Sequence, residues 1–277
     1  GDLAKRLGAI RNLETLAAES PRLHTPIVET FCAYLREKSR ERPNEDSAPS
    51  TPRKFPADLQ MIVTALGRRD VHQDTPGYHL DLSQADLDGA NFDKGDFKGT
   101  NFRGASMKGC SFREAHLEVA HLKDAHLGGA FLNNAHLEGA DLKHAHLERA
   151  HLWDAHLEGA DLMDAHLEGA GLVEAHLEGA FLNNAHLEGA RLGNAHLEGA
   201  RLTDADLGGA AIFISTFENY RLSVIKEFDV MDDHLTLADL RGAHLEDAHL
   251  QGANLEKTRN LTQEQLECAS GDSNTLL

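Results

Sequence analysis

Aromatic residues, cysteines and long apolar runs are scarce in this sequence. Only 5% of its 277 residues are aromatic, and no apolar run approaches the roughly 18 residues that a bilayer span requires. No charged segment precedes an apolar one in the manner of a secretory signal. The three cysteines, Cys32, Cys110 and Cys268, fit neither a disulfide framework nor a CxxC metal site. We therefore expect a cytoplasmic protein with no membrane span in this chain.

Basic residues are also scarce over most of the chain. Residues 1–80 contain 12 Lys and Arg against 11 Asp and Glu, whereas residues 81–277 contain 15 against 34. The net charge of −18 therefore lies almost wholly on the second segment. Direct binding to nucleic acid is disfavoured, because Lys and Arg are needed to displace counterions from phosphates. The acidity instead favours solubility or a protein partner with basic groups.

The motifs of common enzyme classes are missing as well. The sequence contains no GxSxG, no HExxH and no glycine-rich phosphate loop. The chain also consists largely of short repeats, whose copies would stack around a packed interior and leave no pocket in which catalytic groups would converge. We therefore expect no enzymatic activity and no cofactor.

The main feature that is present is a five-residue repeat. The motif AHLEG, or a close variant, begins at alanines ten residues apart from Ala115 to Ala195. A large residue at the centre of each five-residue unit recurs from Leu82 to Leu222. The recurrence starts again, out of phase, at Leu235. Because one unit is too short to bury its own apolar side, the copies must stack on one another. Residues between the two runs, 223–232, are then an insertion that leaves the stack.

Intact A-[DN]-L triplets begin at Ala85, Ala160 and Ala253, and with the period they resemble the pentapeptide-repeat family. The resemblance implies an all-β fold, a right-handed quadrilateral β-helix with four pentapeptides in each coil. It also implies that the central Leu or Phe and the small residue two positions earlier face inward. Residues separated by four pentapeptides would then stack at about the 4.8 Å spacing of strands.

Helical patterns precede the repeats. We expect an α-helical region over residues 1–70, with three helices that pack together and cover the N-terminal end of the stack. The second helix is predicted to start with Thr25 as N-cap and Pro26 in its first turn, and the third to start at Pro56. The Pro- and Ser-rich segment 41–54 is expected to be a linker.

A capping pattern also follows the repeats. The β-helix is expected over residues 78–258, interrupted by the insertion. Thr262 and Gln265 have the spacing of a capping box. Residues 259–277 are therefore expected to form a short helix that caps the C-terminal end.

With four pentapeptides in a coil, the histidines of the AHLEG units form two columns on opposite faces. One contains His116, His136, His156, His176 and His196, and the other His126, His146, His166 and His186. Duplication of a tolerant surface position explains these columns, with metal binding and pH sensing as alternatives. Two imidazole nitrogens on one tetrahedral zinc ion lie about 3.3 Å apart, which is closer than stacked coils would place them. The sequence therefore predicts no metal site.

Apolar residues interrupt the regular faces. Phe131, Trp153 and Val173 fall on successive coils of one wall, which makes them candidates for a partner-binding patch. The insertion adds Ile225 and Phe228, which are too apolar for a fully solvated loop. These five residues are the predicted partner-binding residues.

Three functions agree with these features. The first is a non-catalytic binding or structural scaffold that presents an acidic surface of His and Glu ladders to a protein partner. The second follows from the resemblance alone, since some pentapeptide-repeat proteins act as acidic mimics of a DNA duplex and bind DNA gyrase. The third is a rigid spacer on a membrane-anchored parent. The helical N-terminal region and the LTQEQL segment resemble a bacterial subgroup of the family that often carries membrane helices upstream.

Overall fold

The computed structural model describes residues 3–41 and 54–207. Its helices are α1 (Leu3–Glu19), α2 (Pro21–Arg40) and α3 (Ala57–Gly67), followed by a short 3-10 helix (Val71–Gln73). The chain then forms a β-helix as far as the described residues extend. The insertion at 223–232 and the cap at 259–277 lie outside these residues, as does nearly all of the linker.

Each coil of the β-helix contains four pentapeptides. Parallel β-bridges join each bridge residue to the equivalent residue one coil later, from Asp81 with Asn101 to His186 with Asp206. The bridges recur at every fifth residue and are isolated, so the described coils are paired at single points and not along extended strands. The N–H of the residue after each bridge donates to a carbonyl in the next coil, as from Leu117 to His136 at 2.7 Å.

The interior contains the central residue and the small residue two positions before it, as predicted. From Ala115 to Leu207, these side chains are at most 1% exposed. The first coils use larger rings, and Phe92 packs on Phe112 with ring centroids 4.4 Å apart. Burial of each large side chain contributes about 1.5–3 kcal/mol, so this column of apolar residues is the main source of stability.

The helices cover the exposed edge of the first coil. N–H groups at this edge have no preceding coil to accept their hydrogen bonds, and α2 and α3 supply the acceptors. The backbone N–H of Asp86 donates to the Ser39 hydroxyl at 3.1 Å, and that of Asn91 donates to the side-chain carbonyl of Gln60 at 2.8 Å. The backbone N–H of Asp96 donates to the carbonyl of Gly67 at 2.7 Å. Covering an open edge in this way prevents it from pairing with other chains.

The start of α2 differs from the prediction. The helix begins at Pro21, with Ser20 as its extended N-cap residue, and Pro26 lies inside it. The prediction of Thr25 as N-cap was therefore wrong by about one turn. Ser20 and Pro21 are the same pair of residue types, a hydroxyl residue followed by proline, as Thr25 and Pro26, so both pairs signal a helix start. The Thr25 hydroxyl does not cap the helix and accepts a hydrogen bond from the N–H of Thr75 at 2.9 Å.

Each pentapeptide turns through a residue with positive φ, two positions after its central residue. Glycine, Asn and Asp occupy most of these positions, and they adopt this left-handed conformation with little strain. Val119 has φ 53° and a 58% exposed side chain. It is the β-branched exception among the described turns, and such a residue is strained in this conformation.

Replacement of Val119 by Asn is expected to stabilise the protein. Relief of left-handed strain should raise the free energy of unfolding by about 1 kcal/mol, because Asn tolerates this conformation better than Val. The midpoint of thermal unfolding measures the effect. Gly159→Val is the matched reverse change, at the same turn two coils later with open space around the added side chain. It should lower the midpoint, and a lower midpoint for Val119→Asn would contradict the argument.

Candidate functional site

The histidines form two stacked columns on the surface, each with glutamates beside it. The first His–Glu ladder comprises His116, His136, His156, His176 and His196 with Glu118, Glu138, Glu158, Glu178 and Glu198, and the second comprises His126, His146, His166 and His186 with Glu148, Glu168 and Glu188. Neighbouring imidazole rings lie 4.7–5.0 Å apart and within 15° of parallel. The columns predicted from the sequence are therefore present.

Each glutamate of the ladders faces the imidazole of its own coil. The distance from Nδ1 to Oε1 is 2.9 Å for His146 with Glu148 and 3.3 Å for His156 with Glu158. His126 has no such partner in its coil, because Gly128 stands where the other units have Glu. The pairs are half-buried, so imidazole and carboxylate are held together and remain reachable from solvent.

The second carboxylate oxygen has a different environment. At Glu138, Glu158, Glu178, Glu168 and Glu188, Oε2 is closed off from solvent and has no hydrogen-bond partner among the described residues. Buried polar atoms are nearly always hydrogen-bonded, so a regular series of such oxygens is unusual. Each of these glutamates therefore has one carboxylate oxygen toward its imidazole and the other closed off from solvent.

Two groups in the second ladder have shifted pKa values. Burial alone would raise the pKa of Glu148, but hydrogen bonds from His146 and from backbone N–H lower it below its ordinary value. Burial lowers the pKa of His126, and the neighbouring His146 and Lys108 lower it further. These shifts favour the charged form of Glu148 and the neutral form of His126.

A second surface lies on the wall that contains Phe131. We use the name aromatic wall for Arg113, Phe131, His151, Trp153 and Arg191. The Arg113 guanidinium lies 4.4 Å from the Phe131 ring centre, and the Phe131 ring stacks on His151 at 4.9 Å. His151 meets the edge of Trp153 at 6.3 Å, and the Arg191 guanidinium lies 5.8 Å from the Trp153 ring. Side chains from several coils thus form one continuous row.

The indole of Trp153 packs against Gly171 of the next coil. A Cβ added to Gly171 would come within 2.5 Å of the indole Nε1, so the absence of a side chain there makes room for the ring. Nε1 is closed off from solvent without an acceptor among the described residues. Burial lowers the pKa of the adjacent His151, and Arg113 and Arg191 lower it further. Burial and the two guanidinium groups therefore favour the neutral form of His151.

The structure brings three predicted partner-binding residues to one wall. Phe131 and Trp153 are joined through His151, and Val173 occupies the position one coil after Trp153. Ile225 and Phe228 lie outside the described residues. The predicted partner-binding residues did not include the two arginines, although the period of one coil places Arg191, and by the same rule Arg113, on this wall.

The family model for pentapeptide repeats matches the chain in eight copies. The matched residues are 81–118, 120–152, 145–184, 180–212 and 234–262. The chain therefore belongs to the pentapeptide-repeat family, and this membership implies a right-handed β-helix. The match omits residues 213–233, a range that contains the predicted insertion.

The solved structures to which the chain is similar include other pentapeptide-repeat proteins. A trypsin-treated variant of QnrB1, a plasmid-mediated fluoroquinolone resistance protein, is 18% identical with a TM-score of 0.49, over 70% of this chain and 87% of that one. HetL from the cyanobacterium Nostoc sp. strain PCC 7120, involved in regulating heterocyst differentiation, is 30% identical with a TM-score of 0.23, over 65% and 78%.

No match was found among curated protein sequences. Among the helices of residues 3–41 and 54–207, none combines the length and apolar character that a membrane span requires.

Trp153 is the single tryptophan of the chain, so its fluorescence reports directly on the aromatic wall. We expect Gly171→Ala to displace the indole toward solvent and to move the emission maximum to longer wavelength. Gly128→Ala is the control, because its added Cβ makes only ordinary contacts, 3.7 Å or more from Glu148. An unchanged emission maximum in Gly171→Ala would show that the indole does not lie over this glycine.

Proposed function

We propose that this protein is a non-catalytic scaffold that binds a protein partner through the aromatic wall. The continuous row of rings and guanidinium groups is the observation that carries this proposal. Trp, Tyr and Arg are the residue types that dominate binding energy at protein interfaces. The aromatic wall combines Trp and Arg with other rings on one face, whereas each His–Glu ladder repeats only histidine and glutamate.

A flat wall suits this role. We propose that the four bridge positions in each coil correspond to the four sides of a quadrilateral cross-section. Side chains that follow one another along a wall then lie in one plane, as a broad contact surface requires. In domain terms, the proposed scaffold consists of residues 78–258, with a helical region over 1–70 and a cap over 259–277.

The charges of the wall define the partner's chemistry. Arg113 and Arg191 stand on a β-helix that is otherwise acidic, with 22 Asp and Glu against 10 Lys and Arg over residues 81–207. Guanidinium groups at the two ends of an aromatic row favour a partner segment with apolar residues between acidic ones. Ile225 and Phe228 of the insertion are proposed to extend the same apolar contact.

Affinity capture with the tagged protein tests the proposal. Partners held by the wild-type chain should be lost from the double variant Phe131→Ala/Trp153→Ala, with affinity for the purified partner reduced about tenfold or more. Phe181→Ala is the control, since Phe181 is also half-buried under an arginine, Arg201 at 4.9 Å, but lies on the opposite wall. Equal capture by all three proteins would defeat the proposal.

The rows of carboxylates favour a second candidate function, an acidic mimic of a DNA duplex that binds DNA gyrase. In each ladder, glutamates repeat along one wall at the spacing of the coils. A DNA supercoiling assay with purified gyrase separates the two functions. A duplex mimic inhibits supercoiling in proportion to its concentration, whereas a scaffold that acts through the aromatic wall has no effect.

A further inference from the structure

The glutamates of the first ladder place like charges above one another. Their imidazole neighbours repeat at 4.8–5.0 Å, and carboxylates at this spacing repel one another. At Glu118 the chain supplies a cation, because Lys98 Nζ lies 3.1 Å from Oε1. In the described part of the chain, the ion pairs of Glu138 and Glu158 involve imidazoles only. These two rungs therefore lack the ammonium group that compensates the first.

The buried oxygens add a second, independent observation. Oε2 of Glu138 and Glu158 in the first ladder, and of Glu168 in the second, is enclosed without a hydrogen-bond partner among the described residues. An enclosed carboxylate oxygen without a donor is energetically costly. Because the arrangement recurs in successive coils and on both ladders, it is a property of the repeat and not of one side chain.

Imidazole and carboxylate groups of adjacent coils also lie close together. Four groups, each with one imidazole and two carboxylates from adjacent coils, have one potential ligand atom from each residue within 4.8 Å of the others: Glu138 with His156 and Glu158, Glu158 with His176 and Glu178, Glu148 with His166 and Glu168, and Glu168 with His186 and Glu188. A further group of this kind, His116 with Glu118 and His136, has two imidazoles and one carboxylate. Imidazole nitrogen and carboxylate oxygen are the usual ligands of zinc and related divalent ions.

We propose that the His–Glu ladders bind divalent transition-metal ions of the zinc type between adjacent coils. Nδ1 of one histidine and a carboxylate oxygen from each of two glutamates are the ligands, and water completes the tetrahedron. The bound ion supplies the missing positive charge and a partner for the enclosed oxygen. The prediction of no metal site considered only two stacked imidazoles on one ion. These groups instead combine one imidazole with two carboxylates.

Neighbouring groups share a glutamate. Glu158 belongs to two groups of the first ladder and Glu168 to two groups of the second. A carboxylate has two oxygens, so one glutamate can serve two ions in successive coils. The ladders therefore bind at least two ions per chain, one on each, and these two glutamates are the positions whose loss has the largest effect.

Calorimetric titration of the metal-free full chain with zinc chloride at neutral pH tests the proposal. We expect at least two zinc ions per chain. The double variant Glu158→Gln/Glu168→Gln keeps every imidazole and should bind zinc about tenfold or more weakly. The control Asp124→Asn/Asp204→Asn removes the same charge at two exposed turns and should bind like the wild type.

Two results would overturn the proposal. Absence of zinc binding by the wild type would leave protonation of the imidazoles as the source of compensating charge. Equal affinity in the Glu158→Gln/Glu168→Gln variant would assign the binding to exposed imidazoles alone. Circular dichroism of each variant verifies that the β-helix is intact.

X-ray absorption at the zinc edge provides a test that needs no variant. In the zinc-loaded wild-type protein we expect one imidazole per ion, with the remaining ligands oxygen. A shell that averages two or more imidazoles per ion would contradict the assignment. This measurement tests the proposed set of zinc ligands even if the Glu158→Gln/Glu168→Gln variant fails to fold.

Discussion

Hydrogen bonding between adjacent coils is the constraint on which the other features of this structure depend. The N–H of His136 donates to the carbonyl of Ala115 at 2.9 Å, and its carbonyl accepts from Leu117 at 2.7 Å. Repetition of this pattern locks equivalent residues of successive coils into register. Any side chain that the sequence duplicates at this spacing must therefore stand directly above its copy. The columns of leucine, histidine and glutamate are three results of one backbone rule.

Stacking of identical side chains has opposite effects for different residue types. Leucine and phenylalanine gain buried contact, and imidazole rings pack face to face at 4.7–5.0 Å. Carboxylates at the same spacing repel one another and gain nothing from the register. The electrostatic strain of the repeat is therefore concentrated on the glutamates. Lys98 forms an ion pair with Glu118, whereas the ion pairs of Glu138 and Glu158 among the described residues involve imidazoles only. The proposed binding of metal ions by the ladders follows from this repulsion between stacked glutamates.

Periodicity made the interior and the positions of the surface columns predictable, because both depend only on backbone register. The start of α2 was not predictable, since Ser20 and Thr25 give equivalent signals one turn apart and the contact of Thr25 with Thr75 depends on the tertiary fold. The enclosure of Glu158 Oε2 was likewise hidden, because it depends on side-chain rotamers. Sequence order shows which residues share a wall, but not which atoms of those residues meet.

The two candidate surfaces differ in a way that limits what each can recognise. The rungs of a ladder are nearly equivalent, so a ligand that fits one rung fits the next, and capacity grows with the number of coils. A small ion suits such a surface, because it requires only a few ligand atoms. The aromatic wall contains a single tryptophan, and Gly171 makes room for it at one place in the stack. If a partner binds the wall as proposed, contact with this one tryptophan would hold it in one register, whereas the equivalent rungs of a ladder would not.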